Sequence, residues 1–512
     1  MELSSRAHVL GGPGPLGPAG AENAGDGVRT VRHGFKARGP RPGMMDGRTT
    51  RTERDSLGPR EIPADAYWGV QTLRAMENFP VSGLSLSPHL VRAYALTKEA
   101  CACANRQLGQ LDERRARAIE RAAHELAEGR WRSEIRVDVF QAGAGTSTNM
   151  NVNEVIANRA LEILGRPRGD YAELSPNDHV NRGQSTNDTF PTALNLAILF
   201  ALSGLEDAVT TLASALEERG RAFAGVPKAG RTHLKDAMPV TLGEEFTAYG
   251  SSLRRLLETL PTVRNDLREV ALGGSAVGTG INTAPGFRSL AVATLATLSG
   301  EPLRSARDPF EAMQSRRACA LASSFLRNLA LELIRIANDL RLLSSGPATG
   351  LDEIRIPEVQ PGSSIMPAKV NPSLAECLDQ VAFHVVGSDT AVALAVQAGQ
   401  LEINVMMPGI AFEVLFSAEI LTRFLPVFAE KGVVGIRAQE ANCERWLVSS
   451  QALATVLTPR LGYLKVAELI HEASARGQDP RETAVAMGLL TREEAESLLG
   501  REALVRLTRP VD

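Results

Sequence analysis

Residues 373–397, SLAECLDQVAFHVVGSDTAVALAVQ, decide the fold class. Their apolar residues recur at three- and four-residue spacings, the period of a helix rather than a strand. Polar residues are few (Glu376, Asp379, Gln380, Ser388, Asp389), and Ala391-Val392-Ala393-Leu394-Ala395-Val396 is apolar on every side. Such a helix is expected to be surrounded by others. Working outward, residues 192–224, 241–269, 311–344 and 410–430 carry the same spacing with few breakers inside. Five helices of that size make a mainly α bundle. Runs of about 25 to 34 residues are roughly 37 to 50 Å long, longer than a small domain needs, so several subunits are expected to share one core.

Composition agrees. The chain has 512 residues, with 56 basic and 59 acidic side chains and a net charge of −3. It therefore offers no basic face to nucleic acid or to an anionic membrane. With 44% apolar and 4% aromatic residues it can bury a large core but lacks the usual fillers of a large sheet. The most apolar stretch, 194–205, is broken by Asn195, Ser203 and Gly204, which argues against a membrane span. Five cysteines (101, 103, 319, 377, 443) make neither a disulfide framework nor a zinc set, and a reducing cytoplasm is the expected location. Residues 1–48 are rich in Gly and Pro without periodicity and read as a disordered tail; Met44 and Met45 make an over-extended start codon one explanation of it. The remainder divides into an N-terminal mostly helical domain (49–183), a long-helix bundle (184–440) and a small C-terminal helical domain (441–512).

Four polar islands interrupt the apolar background: Gly143-Ala144-Gly145-Thr146-Ser147-Thr148-Asn149, Gln184-Ser185-Thr186-Asn187-Asp188, Gly230-Arg231-Thr232-His233, and Gly362-Ser363-Ser364-Ile365-Met366-Pro367-Ala368-Lys369-Val370-Asn371-Pro372. Taken alone, the first two are helix N-caps. Glycine and hydroxyls before a helix start also make a seat for a carboxylate, so two such ends could hold both carboxylates of a diacid. In the fourth island, proline and glycine forbid a continuous helix, leaving a shaped loop. A serine acts as a base only if its alkoxide is stabilised; the amides of a Gly-Ser turn, Lys369 and a nearby helix start are the means at hand. A lone histidine such as His233 is more often structural than catalytic; Asp236 and Glu376 could each orient its ring.

The fourth island resembles, nearly letter for letter, the signature loop of the aspartase/fumarase superfamily, and the other three match in order and spacing. Similarity runs from about Arg51 to about Leu499. Residues 67–75, 397–401 and alanine at 368 resemble the aspartate ammonia-lyase branch more than class II fumarase. The resemblance implies a three-domain lyase fold in a homotetramer, with a twenty-helix core and each active site built from three subunits. It implies that Ser363 removes the Cβ proton of a small dicarboxylate to give an enediolate-like intermediate. Thr146, Ser185, Thr186 and Ser364 would hold the adjacent carboxylate, and Lys369, Asn371, Thr232 and His233 the other. Asn187 would face leaving ammonia, and Glu376 would pair with His233. No organic cofactor and no metal ligand set is implied, although magnesium (Mg2+) activates some relatives. The expected reaction is reversible elimination of ammonia from L-aspartate to fumarate. The alternatives are malate–fumarate hydration with the same residues, and a non-catalytic scaffold, against which the intact Ser363, Lys369 and Asn371 argue. Arg182-Gly183 and Lys235 depart from the usual pattern and add charge near a site for dianions.

Overall fold

The computed structural model describes residues 49–507; the expected disorder of residues 1–48 lies outside them. Strands β1 (Thr50–Asp55) and β2 (Gly58–Pro63) form an antiparallel ribbon leading to helix α1 (Val70–Asn78). Helices α2 (Pro88–Gln107), α3 (Glu113–Ala127) and α4 (Thr146–Ile163) follow. The long helix α5 (Thr186–Ala222) leads to an antiparallel hairpin of β3 (Pro227–Thr232) and β4 (Lys235–Thr241). Then come α6 (Leu242–Leu257), α7 (Leu260–Leu267), α8 (Phe287–Ser299), α9 (Pro309–Gln314), α10 (Arg317–Leu343), α11 (Ser373–Gln397) and α12 (Met407–Phe428). Short helices run from Glu440 to Leu507.

The expected runs are present with three adjustments. Helix α5 starts six residues before the apolar pattern because Ser185 and Asp188 form a capping box, each bonding the other's backbone N–H. The run 241–269 is cut by Pro261, which is tolerated only in the first turn of the new helix α7. The run 311–344 breaks at Ser315, whose backbone is extended (φ −91°, ψ 133°) between α9 and α10.

Helix α5 packs against α2, α6 and α12, while α11 packs against α10 and α12. Despite Asn195, Ser203 and Gly204, α5 is long and apolar enough to cross a membrane by length and composition alone. Its hydropathy has another cause: Leu194, Leu196, Ile198, Leu199, Leu202 and Leu205 are buried in the protein's own core. Its Asn195 is absorbed there by donating to the Glu269 carbonyl (3.1 Å). One apolar cluster unites the long helices, and a second gathers Ala229 of the hairpin with residues from Leu447 to Leu504.

Helix α11 is covered by its own chain on one side only. Leu378, Ala382, Val385 and Val392 are buried, whereas Phe383 and Leu394 are 57% and 63% exposed. Leu331 on α10 and Phe416 on α12 are uncovered as well.

Candidate active site

Islands one and two lie against each other. The turn before α4 needs left-handed backbone at Ala144 (φ 61°) and Gly145 (φ 86°), and a Cβ on Gly145 would stand 2.1 Å from the Phe190 ring. Glycine there lets the start of α4 close on the start of α5. Ser185 Oγ accepts from Asn187 N (3.2 Å), and the Asp188 carboxylate accepts from Ser185 N (2.9 Å) and from Gly273 N and Ser275 N (3.0 Å each). Burial pushes Asp188 up to about 6, against the pull of those three N–H groups. Thr146 is exposed, Ser185 and Asn187 are half-buried, and Thr186 is buried. Two helix N-termini thus present hydroxyls and dipoles of the right sign for a carboxylate.

Island three is a hairpin tip. Thr232 pairs with Lys235, so His233 and Leu234 alone make the turn, both left-handed (φ 57° and 55°). That backbone costs a non-glycine residue about 1–2 kcal/mol, and such strain concentrates at functional sites. Thr232, His233 and Leu234 are exposed. The hairpin's base is held by buried charge: Lys228 Nζ reaches Glu245 (2.8 Å) and Glu353 (2.7 Å), and Arg231 also reaches Glu353 (2.9 Å).

Island four is the expected shaped loop. Gly362 N donates to the Lys369 carbonyl (2.9 Å), and Asn371 Nδ2 donates to the Gly362 carbonyl, closing the loop. A Cβ on Gly362 would stand 2.2 Å from the Lys369 carbonyl oxygen. Ser363 Oγ accepts from Ile365 N (3.2 Å) and Met366 N (3.0 Å), and two donors on one hydroxyl oxygen favour its alkoxide. Ser364 and Lys369 are exposed, and Asn371 is half-buried. Glu376 lies in the first turn of α11 and makes no ion pair or hydrogen bond with His233 inside the chain.

Islands two and three cannot meet within one chain. A 37-residue helix is about 55 Å long. Even if the four-residue link and the hairpin folded straight back, recovering about 14 and 20 Å, His233 would remain about 20 Å from Ser185.

Two elements of this region escaped the sequence reading. Residues 273–280 form a glycine-rich loop under island two, and its Ala276 carbonyl accepts from Asn187 Nδ2 (2.8 Å). Glycine density marked it as it marked the other islands. Lys98 of α2, fully buried, joins islands one and two, and no local signal separates it from a solvent-facing lysine. The departures have simple surroundings: Gly183 is left-handed (φ 69°), which explains glycine there, and Arg182 and Lys235 are exposed. Among the described residues no group of three His, Cys, Asp or Glu side chains converges as a metal site. A cavity of about 220 Å³ is lined by Leu86, Phe190, Phe412 and Phe416 and by none of the expected site residues.

A family model described as lyase matches residues 58–387, and one described as fumarase C C-terminus matches residues 453–506. An aspartate ammonia-lyase from Bacillus sp is 44% identical over 88% of this chain and 96% of its own length. A class II fumarate hydratase from Halobacterium salinarum is 48% identical, covering 89% and 97%. A crystal structure of fumarate lyase:delta crystallin from Brucella melitensis, bound to cobalt, superposes with a TM-score of 0.87 at 47% identity, covering 90% of this chain and all of that one. On sequence and on fold alike, the chain belongs to the aspartase/fumarase superfamily of lyases.

Proposed function

We propose that the protein is an aspartate ammonia-lyase, a carbon–nitrogen lyase that reversibly eliminates ammonia from L-aspartate to give fumarate. The observation that carries the elimination chemistry is Ser363 Oγ receiving two backbone N–H groups in a loop that also presents Lys369; the likeness to aspartate ammonia-lyases at 44–46% identity supports ammonia as the group that leaves. Ser363 takes the Cβ proton, and the charge that develops on the adjacent carboxylate is met by Thr146, Ser185, Thr186 and Ser364. Lys369, Asn371, Thr232 and His233 hold the second carboxylate, Glu376 of another copy steadies His233, and Asn187 faces the departing amine. A Cβ proton is too weakly acidic for an unaided base, so the barrier falls through donors arranged in advance. No organic cofactor takes part in these steps.

Because islands two and three are kept apart in one chain, the working form is a homotetramer whose sites draw on three copies. The uncovered faces of α10, α11 and α12 support this. The three-domain division at residues 183 and 440 belongs to the same reading, with the C-terminal apolar cluster in its favour. A cytoplasmic location is supported by five free thiols.

The 48%-identical fumarate hydratase favours a second reading, hydration of fumarate to malate with the same residues. Assays of aspartate, malate and argininosuccinate side by side, with and without magnesium, decide between them. Fumarate absorbance near 240 nm rising from aspartate is expected; fumarate from malate alone assigns the hydratase.

A further inference from the structure

Lys98 stands in the middle of α2 with its side chain entirely buried. Its Nζ lies 2.7 Å from Asn149 Oδ1, 2.9 Å from Asn181 Oδ1 and 2.8 Å from Gln184 Oε1. All three oxygens belong to neutral amides, and each comes from a different place: the first turn of α4, the π-helical turn Pro176–Val180 and its cap, and the residue before the cap of α5. A neutral amine has two N–H groups, whereas three acceptors at bonding distance ask for three, so the geometry is that of an ammonium. The other ionisable groups facing it are few. Asp188, from α5, has its carboxylate committed to Ser185, Gly273 and Ser275. Tyr94 and Cys101, from α2 itself, are buried, and the Tyr94 ring centroid is 5.7 Å from Nζ.

A buried cation without a bonded carboxylate is costly and persists only where the surroundings hold it. Here it lies behind two helix N-termini whose dipoles already point positive ends the same way. Resting on the reading above, we propose that Lys98 is a positioning residue for the elimination: it fixes the starts of α4 and α5 in register and adds positive potential behind the carboxylate that gains charge in the transition state. Its effect falls on the developing charge more than on the ground-state diacid, so it belongs to kcat rather than KM. Burial also pulls the lysine down to about 7, so its charge is lost as pH rises through the neutral range.

The test compares wild type with Lys98→Met, an uncharged side chain of similar length. The expected result is a fall in kcat of tenfold or more, with KM for aspartate and the calorimetric affinity for succinate each within threefold, and loss of one alkaline limb of the kcat–pH profile. A kcat within twofold of wild type, loss of succinate binding in parallel with kcat, or an unchanged alkaline limb overturns the proposal. Should Lys98→Met not fold, Gln184→Met keeps the lysine and withdraws one acceptor. The alkaline limb should then move to lower pH, and an unmoved limb overturns the proposal equally. Wild type inactive on both aspartate and malate would instead overturn the functional reading.

Discussion

At the scale of single residues, chemistry and stability make separate demands. Ser363→Ala removes the oxygen that two amides converge on, and turnover should fall by about 10²–10⁴-fold while the circular dichroism spectrum is retained; full activity would refute its role as base. Glu154 shows the other demand. Fully buried in α4, it accepts from Gly69 N (2.9 Å), Gln71 N (2.8 Å), and Thr72 N and Oγ1 (3.1 and 2.6 Å), closing the orphan amides of α1. Burial nonetheless pushes it from 4.5 up to about 7. The folded state therefore binds a proton that the unfolded chain releases between those values. Stability from this group is full below pH 4.5 and declines as pH rises toward 7; Asp188 acts in the same sense up to about 6. Glu154→Gln should lower the melting temperature overall, because its NH2 meets donors, and flatten the dependence between pH 5 and 7. Identical slopes for variant and wild type would contradict this.

At the scale of elements, the hairpin depends on charges at its base. Lys228 and Glu353 are 1% and 0% exposed; without Lys228, buried Glu353 keeps only Arg231, and Glu245 loses its cation. Lys228→Met should cost about 1–3 kcal/mol in urea unfolding and weaken substrate binding by loosening the tip; a change below 1 kcal/mol would contradict this. The same scale shows what could be read beforehand. The run 373–397 was legible to the residue because its ends coincide with Pro372 and Gln397, and the loop 362–372 because proline and glycine leave it no regular alternative. The cut at Ser315 and the early start of α5 were not, since apolar spacing continues across the first and begins after the second. Lys98 was hidden for another reason: a charged residue in a helical pattern reads as solvent-facing, and its acceptors lie 51 to 86 residues away. Ser363 and its loop were legible as chemistry, whereas the support given by Gly273, Ser275 and Ala276 to island two depends on contacts 85 to 89 residues apart.

At the scale of the whole molecule, one chain is an incomplete object. Helix α11 is apolar nearly all round yet covered on one side, and α5 holds islands two and three apart. Leu394→Asp places a carboxylate on the uncovered face without touching Leu378, Ala382 or Val385 on the covered one. Light scattering should show this variant as smaller species with native helix content and little turnover; a wild-type mass or full activity would count against shared sites.

The bulge in β4 has a consequence of its own. Between the pairs Ala229–Pro239 and Arg231–Asp236, Ala237 and Met238 oppose the single Gly230, and a Cβ on Gly230 would stand 2.5 Å from the Met238 carbonyl oxygen, so the residue facing the bulge must be glycine. Side chains alternate along a strand, and the extra residue shifts that alternation in β4 beside Arg231, which reaches Glu353. The hairpin therefore works as a ruler with one tooth offset. Single insertions or deletions in either arm would reverse which face carries Arg231 or Thr232, so its length can drift over evolutionary time only by paired changes in both arms.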